Sequence, residues 1–68
     1  MDKVTATLEN WTQIGQVIYG QIYGDTRGRF VDGQQVRTSR LDEIVHDDDM
    51  VKYAYTQNSV YKLGVPNG

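Results

Sequence analysis

Turn-forming residues recur about every eight to twelve positions along this chain, and that spacing limits its fold more than any other feature. Each cluster follows a run of strand-forming residues; the clusters are Glu9-Asn10, Gly24–Gly28, Asp32-Gly33, Asp47–Asp49 and Gln57–Ser59. Strand-favouring residues are abundant, with eight Val, four Ile and six Thr, whereas Leu and Ala number only three and two. The sequence therefore predicts an all-β protein, a small five- or six-stranded antiparallel barrel, SH3-like or similar.

The segment from Trp11 to Gly24 fits either a helix or two strands, because its apolar residues lie three and four positions apart. Glycines interrupt the segment, and each would cost about 1 kcal/mol relative to Ala inside a helix. Bent strands, in contrast, accept Gly at their corners. We therefore predict two strands, with Ile18 and Ile22 facing the core and Tyr19 and Tyr23 on the opposite face.

The dipeptide Asp32-Gly33 is a two-residue hairpin signal, because Gly supplies the positive φ that such turns require. It is expected to join a strand ending near Phe30-Val31 to a second strand running from Gln35 to about Val45. Residues 1–64 are predicted to form one domain, followed by a loose tail over residues 65–68. A chain of 68 residues buries only about 60% of the surface of its unfolded form, so we expect a homo-oligomer.

Composition narrows the class of protein. The formal charge of −2 argues against binding a nucleic-acid polymer through its phosphate backbone, which requires an excess of cations. The chain has no Cys, which fits a reducing cytoplasm and excludes thiolate metal sites and cysteine nucleophiles. It contains no signal-peptide core, and no apolar run approaches the roughly 18 residues that cross a bilayer. We expect a soluble protein of the cytoplasm without a membrane partner.

Patterns that support catalysis are missing. The single His46 lies beside Asp47–Asp49, a stretch that lacks the glycine and the ligand spacing of a calcium loop and is more simply a solvated turn. Apart from His46, the chain has no histidine that could act as the base of a nucleophilic serine. The segment Gly24–Gly28 lacks the Lys-Ser/Thr pair of a phosphate-binding loop. The sequence predicts no enzyme, no catalytic residue, no metal ligand and no cofactor.

Arginine is concentrated in one stretch. All four arginines lie within residues 27–40, and five of the nine acidic residues follow within residues 42–49. Guanidinium groups bind phosphate oxygens in a bidentate manner, and hydroxyl groups donate to the same anion. Arg37, Thr38 and Ser39 are therefore candidate ligand contacts. The alternative is that these arginines only pair with the neighbouring acids, and the sequence does not decide between the two.

Two further residues are candidates for the ligand site. Tyr23 lies on the strand face opposite the isoleucines, where its ring serves either a subunit interface or a stacked base. Asn58 lies in the turn before the last strand, where it either caps the turn or contacts a ligand edge.

Two stretches resemble very small proteins encoded by tailed bacteriophages, namely DGQQVRTS at residues 32–39 and TQNSVYKLG at residues 56–64. The opening LENW and the repeated Ile-Tyr-Gly element belong to the same pattern. Within such proteins, the chain is most similar to the anti-CBASS sponge family. That resemblance implies a homo-oligomer, dimer or tetramer, that holds a cyclic dinucleotide or trinucleotide immune signal between subunits in the host cytoplasm without cleaving it. It also implies that Arg37, Thr38 and Ser39 contact the ligand phosphates.

Two other functions remain open at this stage. The acidic stretch Asp42–Asp49 is compatible with a phage inhibitor, such as an anti-CRISPR, that docks on a host defence protein as a nucleic-acid mimic. The aromatic residues and arginines are compatible with a small nucleic-acid-binding adaptor.

Overall fold

A computed structural model describes residues 4–49 and 51–67. Residues 1–3 and 50 of the predicted domain and residue 68 of the predicted tail lie outside these ranges. Within them, one sheet contains β1 (Ala6–Ile14), β2 (Val17–Tyr23), β3 (Gln34–Arg37), β4 (Leu41–His46), β5 (Lys52–Thr56) and β6 (Val60–Leu63), in the order β3-β2-β1-β6-β5-β4. The prediction of an all-β protein with five or six strands is confirmed. The described segments include no helix of the length and apolarity needed to span a membrane.

The predicted antiparallel barrel is wrong, because the sheet is mixed and is not closed into a barrel. Strand β6 pairs parallel with β1, and β3 and β4 form the two edges. The mixed pairing arises because the chain does not reverse direction in the link of residues 38–40 between β3 and β4. Strands β1 and β3 run in the same direction, because each is antiparallel to β2. Strands β4 and β6 also share a direction, because each is antiparallel to β5, and β6 is parallel to β1.

The same short link requires the sheet to curl. In a flat sheet of six strands the outermost strands would lie about 24 Å apart, since neighbours are about 4.8 Å apart. Four extended residue steps from Arg37 to Leu41 reach at most about 14 Å. The amide of Thr38 donates to the Ile18 carbonyl at 2.9 Å and that of Leu41 to the Gln16 carbonyl at 2.7 Å. These bonds carry the link across the start of β2, and the radius of gyration is 10.9 Å, as expected for a compact chain of this length.

The concave face of the curled sheet forms the core. Leu8, Ile18 and Ile22 are at most 1% exposed, so the predicted inward orientation of the two isoleucines is confirmed. Tyr19 and Tyr23 alternate with them on the outer face, again as predicted. Five further residues complete the buried cluster: Ala6, Leu41, Ala54, Tyr61 and Leu63.

Strand β1 continues through the predicted turn at Glu9-Asn10. Asn10 has a φ of 51°, and the pairing register with β2 shifts between Glu9 and Thr12. This is a β-bulge, in which Asn adopts the left-handed conformation that it tolerates better than most residues. Beyond the bulge, residues 65–67 run alongside β1: the Asn10 amide donates to the Val65 carbonyl and the Asn67 amide to the Trp11 carbonyl, each at 2.7 Å.

The predicted hairpin at Asp32-Gly33 is also wrong in its first strand. Phe30 and Val31 belong to a loop over residues 24–33, although the Gly33 amide still donates to the Ile22 carbonyl where β3 begins. The second predicted strand, from Gln35 to Val45, is divided into β3 and β4 by the link at residues 38–40. A local turn signal locates a reversal of the chain, but tertiary hydrogen bonds decide which strand the chain pairs with.

Gly20 provides a test of the packing between β1 and β2. A Cβ at this buried position would lie 3.0 Å from Trp11 Cβ and 3.2 Å from the Glu9 carbonyl oxygen. We expect Gly20→Ala to lower the free energy of unfolding by about 1–3 kcal/mol, because backbone must move to admit the methyl group. Urea denaturation measures the change, with the exposed Gln16→Ala as a control that stays within about 0.5 kcal/mol. Equal stability of both variants would contradict the packing described.

Candidate functional site

The five predicted ligand residues are separated by the fold. Arg37 ends β3, and Thr38 and Ser39 follow in the link to β4. Tyr23 is the last residue of β2. It lies four residues beyond Tyr19, which is the β2 residue that pairs with Arg37. Four residues of strand correspond to about 13 Å. Asn58 lies in the β5–β6 turn. One chain therefore presents Arg37 and Ser39 in one place, and Tyr23 and Asn58 elsewhere.

Thr38 has a structural role within the fold. Its side chain is 4% exposed, and its hydroxyl accepts the Ile18 amide at 3.0 Å while donating to the Ser39 carbonyl at 2.8 Å. Both hydrogen-bonding functions of the hydroxyl are thus used within the fold. Thr38 fastens the β3–β4 link to β2, whereas its neighbours Arg37 and Ser39 are exposed.

Arg37 lies directly opposite Tyr19 on the outer face of the sheet. Its side chain is exposed, and Tyr19 is half-buried. Among the side-chain hydrogen bonds of the described residues, those from arginine side chains come from Arg27, and none comes from Arg37. The sequence left open whether Arg37 pairs with the acids of residues 42–49; no hydrogen bond of this kind is present in the described part of the chain. A cation and a flat ring therefore face the same side.

Strand β3 also leaves backbone groups free along the sheet edge. Since the Thr38 amide donates to β2, alternation along an antiparallel pair turns the backbone N–H and C=O of Val36 towards β2 as well. The corresponding groups of Gln35 and Arg37 point away from it. Strand β3 is the first strand in the sheet order, so no described strand pairs with that side.

Asn58 lines a cleft with a volume of ≈ 290 Å³ at the other end of the sheet. Arg27 reaches this cleft from the β2–β3 loop. Its Nη1 donates to Ser59 Oγ at 3.1 Å, and its Nη2 donates to the Asn58 main-chain carbonyl. Sequence reasoning did not place Arg27 in the site, because no local pattern links it to residues that follow it by 31 or 32 positions. The complete lining is Thr5, Arg27, Tyr55, Thr56, Gln57, Asn58, Ser59 and Val60.

The carboxylate of Asp25 organises the loop that carries Arg27. It accepts the backbone amides of Arg27 at 3.0 Å, Arg29 at 2.9 Å and Phe30 at 3.1 Å. These bonds, chiefly the one from the Arg27 amide, hold the pKa of Asp25 below its usual value. The Thr26 amide and hydroxyl both donate to the Thr5 carbonyl, at 2.9 and 3.0 Å, and fix the loop to the sheet.

The acidic turn that follows His46 is stabilised by hydrogen bonds from backbone amides to the Asp47 carboxylate. Asp47 accepts the amides of Asp49 and Val51, each at 2.9 Å. Burial, followed by the charge of Asp47, raises the pKa of Tyr53, whose hydroxyl donates to Asp47 at 3.4 Å. In residues 4–49 and 51–67, no three His, Asp or Glu side chains are grouped as metal ligands would be.

The structural role of Thr38 is tested by Thr38→Val, which keeps the shape of the side chain and removes its hydroxyl. The buried Ile18 amide then loses its acceptor, so we expect a loss of about 1–3 kcal/mol in the free energy of unfolding. Thr38→Ser should recover most of it, and the exposed Ser39→Ala should change little. Thermal unfolding followed by circular dichroism measures all three. A Thr38→Val variant as stable as the wild type would contradict this structural role.

The role of Asp25 predicts a pH dependence confined to one loop. Because its pKa is lowered in the folded protein, its contribution is fully present above the unfolded value near 4 and is lost as the pH falls through the folded pKa. We expect the protection of the amides of Arg27, Arg29 and Phe30, measured relative to the intrinsic exchange rate at the same pH, to fall as the carboxylate of Asp25 becomes protonated. Amide hydrogen exchange by NMR measures this, and Asp25→Asn should show the low protection already at neutral pH. Equal protection at neutral pH and below the folded pKa of Asp25 would contradict the prediction.

No family model matches the chain, and comparisons with curated proteins and with solved structures find no similar protein. Two surface regions have side chains suited to ligand binding. One is the β3 edge, where the exposed Arg37 lies opposite the half-buried Tyr19, and the other is the cleft that contains Arg27 and Asn58.

Proposed function

We propose that this chain is a phage binding protein without catalytic activity that sequesters a cyclic dinucleotide or trinucleotide in the host cytoplasm and so evades host immunity. The observation that carries the proposal is the Arg37–Tyr19 pair: an exposed guanidinium opposite a tyrosine ring, on a strand whose outer edge no described strand covers. The phage origin and the class of ligand rest on the sequence resemblance described above.

The chemistry of the pair suits a nucleotide. A guanidinium that makes no side-chain hydrogen bond within the described residues can make two parallel hydrogen bonds to phosphate oxygens. A tyrosine ring stacks on a base for about 1–3 kcal/mol. Ser39, exposed two residues beyond Arg37, supplies a hydroxyl donor. These groups hold a ligand but do not include a base or nucleophile that would cleave it.

A single copy is too small for such a ligand. A cyclic dinucleotide has two phosphates and two bases, whereas one chain offers one Arg37 and one Tyr19 on this face. A two-fold axis doubles every group, so a homodimer supplies two of each. Further pairing of dimers would give a tetramer.

The β3 edge supports one particular dimer. If two copies of β3 pair antiparallel with Val36 opposite its own copy, each Gln35 lies opposite an Arg37. The outward backbone groups of these two residues then meet, and all four side chains stay on the outer face. No like charges lie directly opposite each other. From ordinary strand spacings, the two Arg37 Cα atoms are about 8 Å apart.

Ligand and dimer are then expected to stabilise each other. Two Arg37 side chains that leave the sheet from neighbouring strands bring like charges together, and a bound phosphate offsets their repulsion. By linkage, a ligand that binds only the dimer shifts the monomer–dimer equilibrium towards the dimer.

A second function has one observation in its favour. Asp42, Glu43, Asp48 and Asp49 are all exposed on β4 and the following turn, as a nucleic-acid mimic that docks on a host protein would require. Charge reversal at Asp48 and Asp49 should abolish inhibition in that case. The same change should leave nucleotide capture intact if the sponge proposal is correct.

Native mass spectrometry with a panel of cyclic dinucleotides and trinucleotides tests the sponge proposal. We expect a dimer or tetramer that retains a ligand, and release of the ligand unaltered after heating. Arg37→Gln should weaken retention by at least about tenfold, because it removes a charge-assisted bidentate contact. Failure of every cyclic nucleotide to bind would contradict the proposal.

Two controls separate the ligand contact from the interface. Arg29→Gln removes another exposed arginine, whose guanidinium lies 5.5 Å from the Phe30 ring, and should bind like the wild type. Gln35→Pro removes an amide that does not donate to β2, so the fold should survive while the dimer is lost. A Gln35→Pro variant that still dimerises would contradict the β3 interface but not ligand binding.

A further inference from the structure

We infer that the cleft containing Arg27 is a second binding site, which takes a small phosphate monoester carrying one planar ring, of the size of a nucleoside monophosphate. It is separate from the β3 edge: Arg27 lies beyond the end of β2 that carries Tyr23, and Arg37 lies opposite Tyr19 near the beginning of that strand.

The charge of the cleft favours an anion. Among the eight described residues that line it, Arg27 alone is charged, and the other seven have hydroxyl, amide, phenol or aliphatic side chains. The acceptors of the guanidinium are a neutral hydroxyl and a neutral carbonyl. Neither acceptor neutralises the positive charge. An anion that enters the cleft therefore meets a full positive charge on a concave surface.

Arg27 is held in position before any ligand arrives. Two of the five N–H donors of a guanidinium are used by Ser59 and Asn58, which leaves three for a ligand. The loop behind Arg27 is fixed by the Asp25 carboxylate and by Thr26, so little side-chain or loop entropy is lost on binding. This distinguishes Arg27 from an ordinary surface arginine.

The remaining lining suits a planar ring. Tyr55 forms one wall with its half-buried ring, and Gln57 and Asn58 are exposed at the rim. Asn58 contacts Arg27 through its main-chain carbonyl, so that contact leaves its side-chain amide free to donate and accept. A ring stacked on Tyr55 would present its edge to these amides.

Size excludes the larger ligand from this cleft. Its volume of ≈ 290 Å³ lies at the lower limit of the roughly 300–1,000 Å³ typical of small-molecule pockets. That space suits one ring and one phosphate, whereas a cyclic dinucleotide has two of each. The cleft and the β3 edge are therefore expected to differ in their ligands.

Titrations followed by amide NMR test the inference with adenosine 5′-monophosphate, adenosine and inorganic phosphate. We expect the monophosphate to shift the signals of Thr5, Arg27 and residues 55–60, and to bind at least about tenfold more tightly than adenosine. Equal binding of adenosine and the monophosphate would overturn the inference. So would monophosphate shifts centred on Tyr19 and Arg37, which would assign the ligand to the β3 edge.

Variants make the test specific. Arg27→Gln should weaken monophosphate binding by about tenfold or more, and Arg29→Gln, in the same loop, should not. Because Arg27 also anchors the loop, Asn58→Asp provides a second test: it introduces a negative charge and keeps the main-chain acceptor. We expect Asn58→Asp to reduce monophosphate binding while the amide signals of residues 25–30 remain unchanged. Unaltered binding by Asn58→Asp would overturn the inference, and Arg37→Gln should bind the monophosphate normally.

Discussion

The three-residue link between β3 and β4 is the constraint on which the rest of the structure depends. It joins the two outermost strands of a six-stranded sheet, which only a curled sheet allows. Thr38 holds the link in place, because its amide and its hydroxyl both bond to Ile18 of β2. The curl buries Leu8, Ile18 and Ile22 on one side and leaves polar and aromatic residues on the other. The core and the outer surface to which we assign ligand binding thus have the same cause.

The loop and strand β3 separate two arginines of the same stretch, because Arg27 precedes β3 and Arg37 ends it. Arg37 lies opposite Tyr19 at the β3 edge, which no described strand covers and which we propose pairs with another copy of β3. Arg27 lies at the far end, fixed against the β5–β6 turn by Ser59 and Asn58. In our two proposals, a single arginine-rich stretch supplies two anion-binding sites of different size, one completed by a second chain and one contained in a single chain.

Local patterns predicted some elements well. The glycines of residues 11–24 favoured two strands over a helix, and the alternation of Ile18, Tyr19, Ile22 and Tyr23 placed each on the correct face. Turn signals were less informative. Glu9-Asn10 is a bulge inside β1, where Asn adopts a positive φ because β1 pairs both with β2 and with residues 65–67. A turn residue shows that the backbone departs from an extended conformation, but it does not show whether the chain reverses.

Sequence alone determined the strand-rich composition, the alternation that defines the core, and the presence of arginine and tyrosine suited to a nucleotide. Only the tertiary structure decided which of these groups are available. Thr38 and Arg37 are adjacent in the chain, yet the Thr38 hydroxyl accepts the Ile18 amide, whereas the Arg37 side chain is exposed to solvent. Arg27 entered the cleft through contacts with residues more than 30 positions away. Availability depends on such distant partners, because hydrogen bonds are satisfied in space and not along the chain.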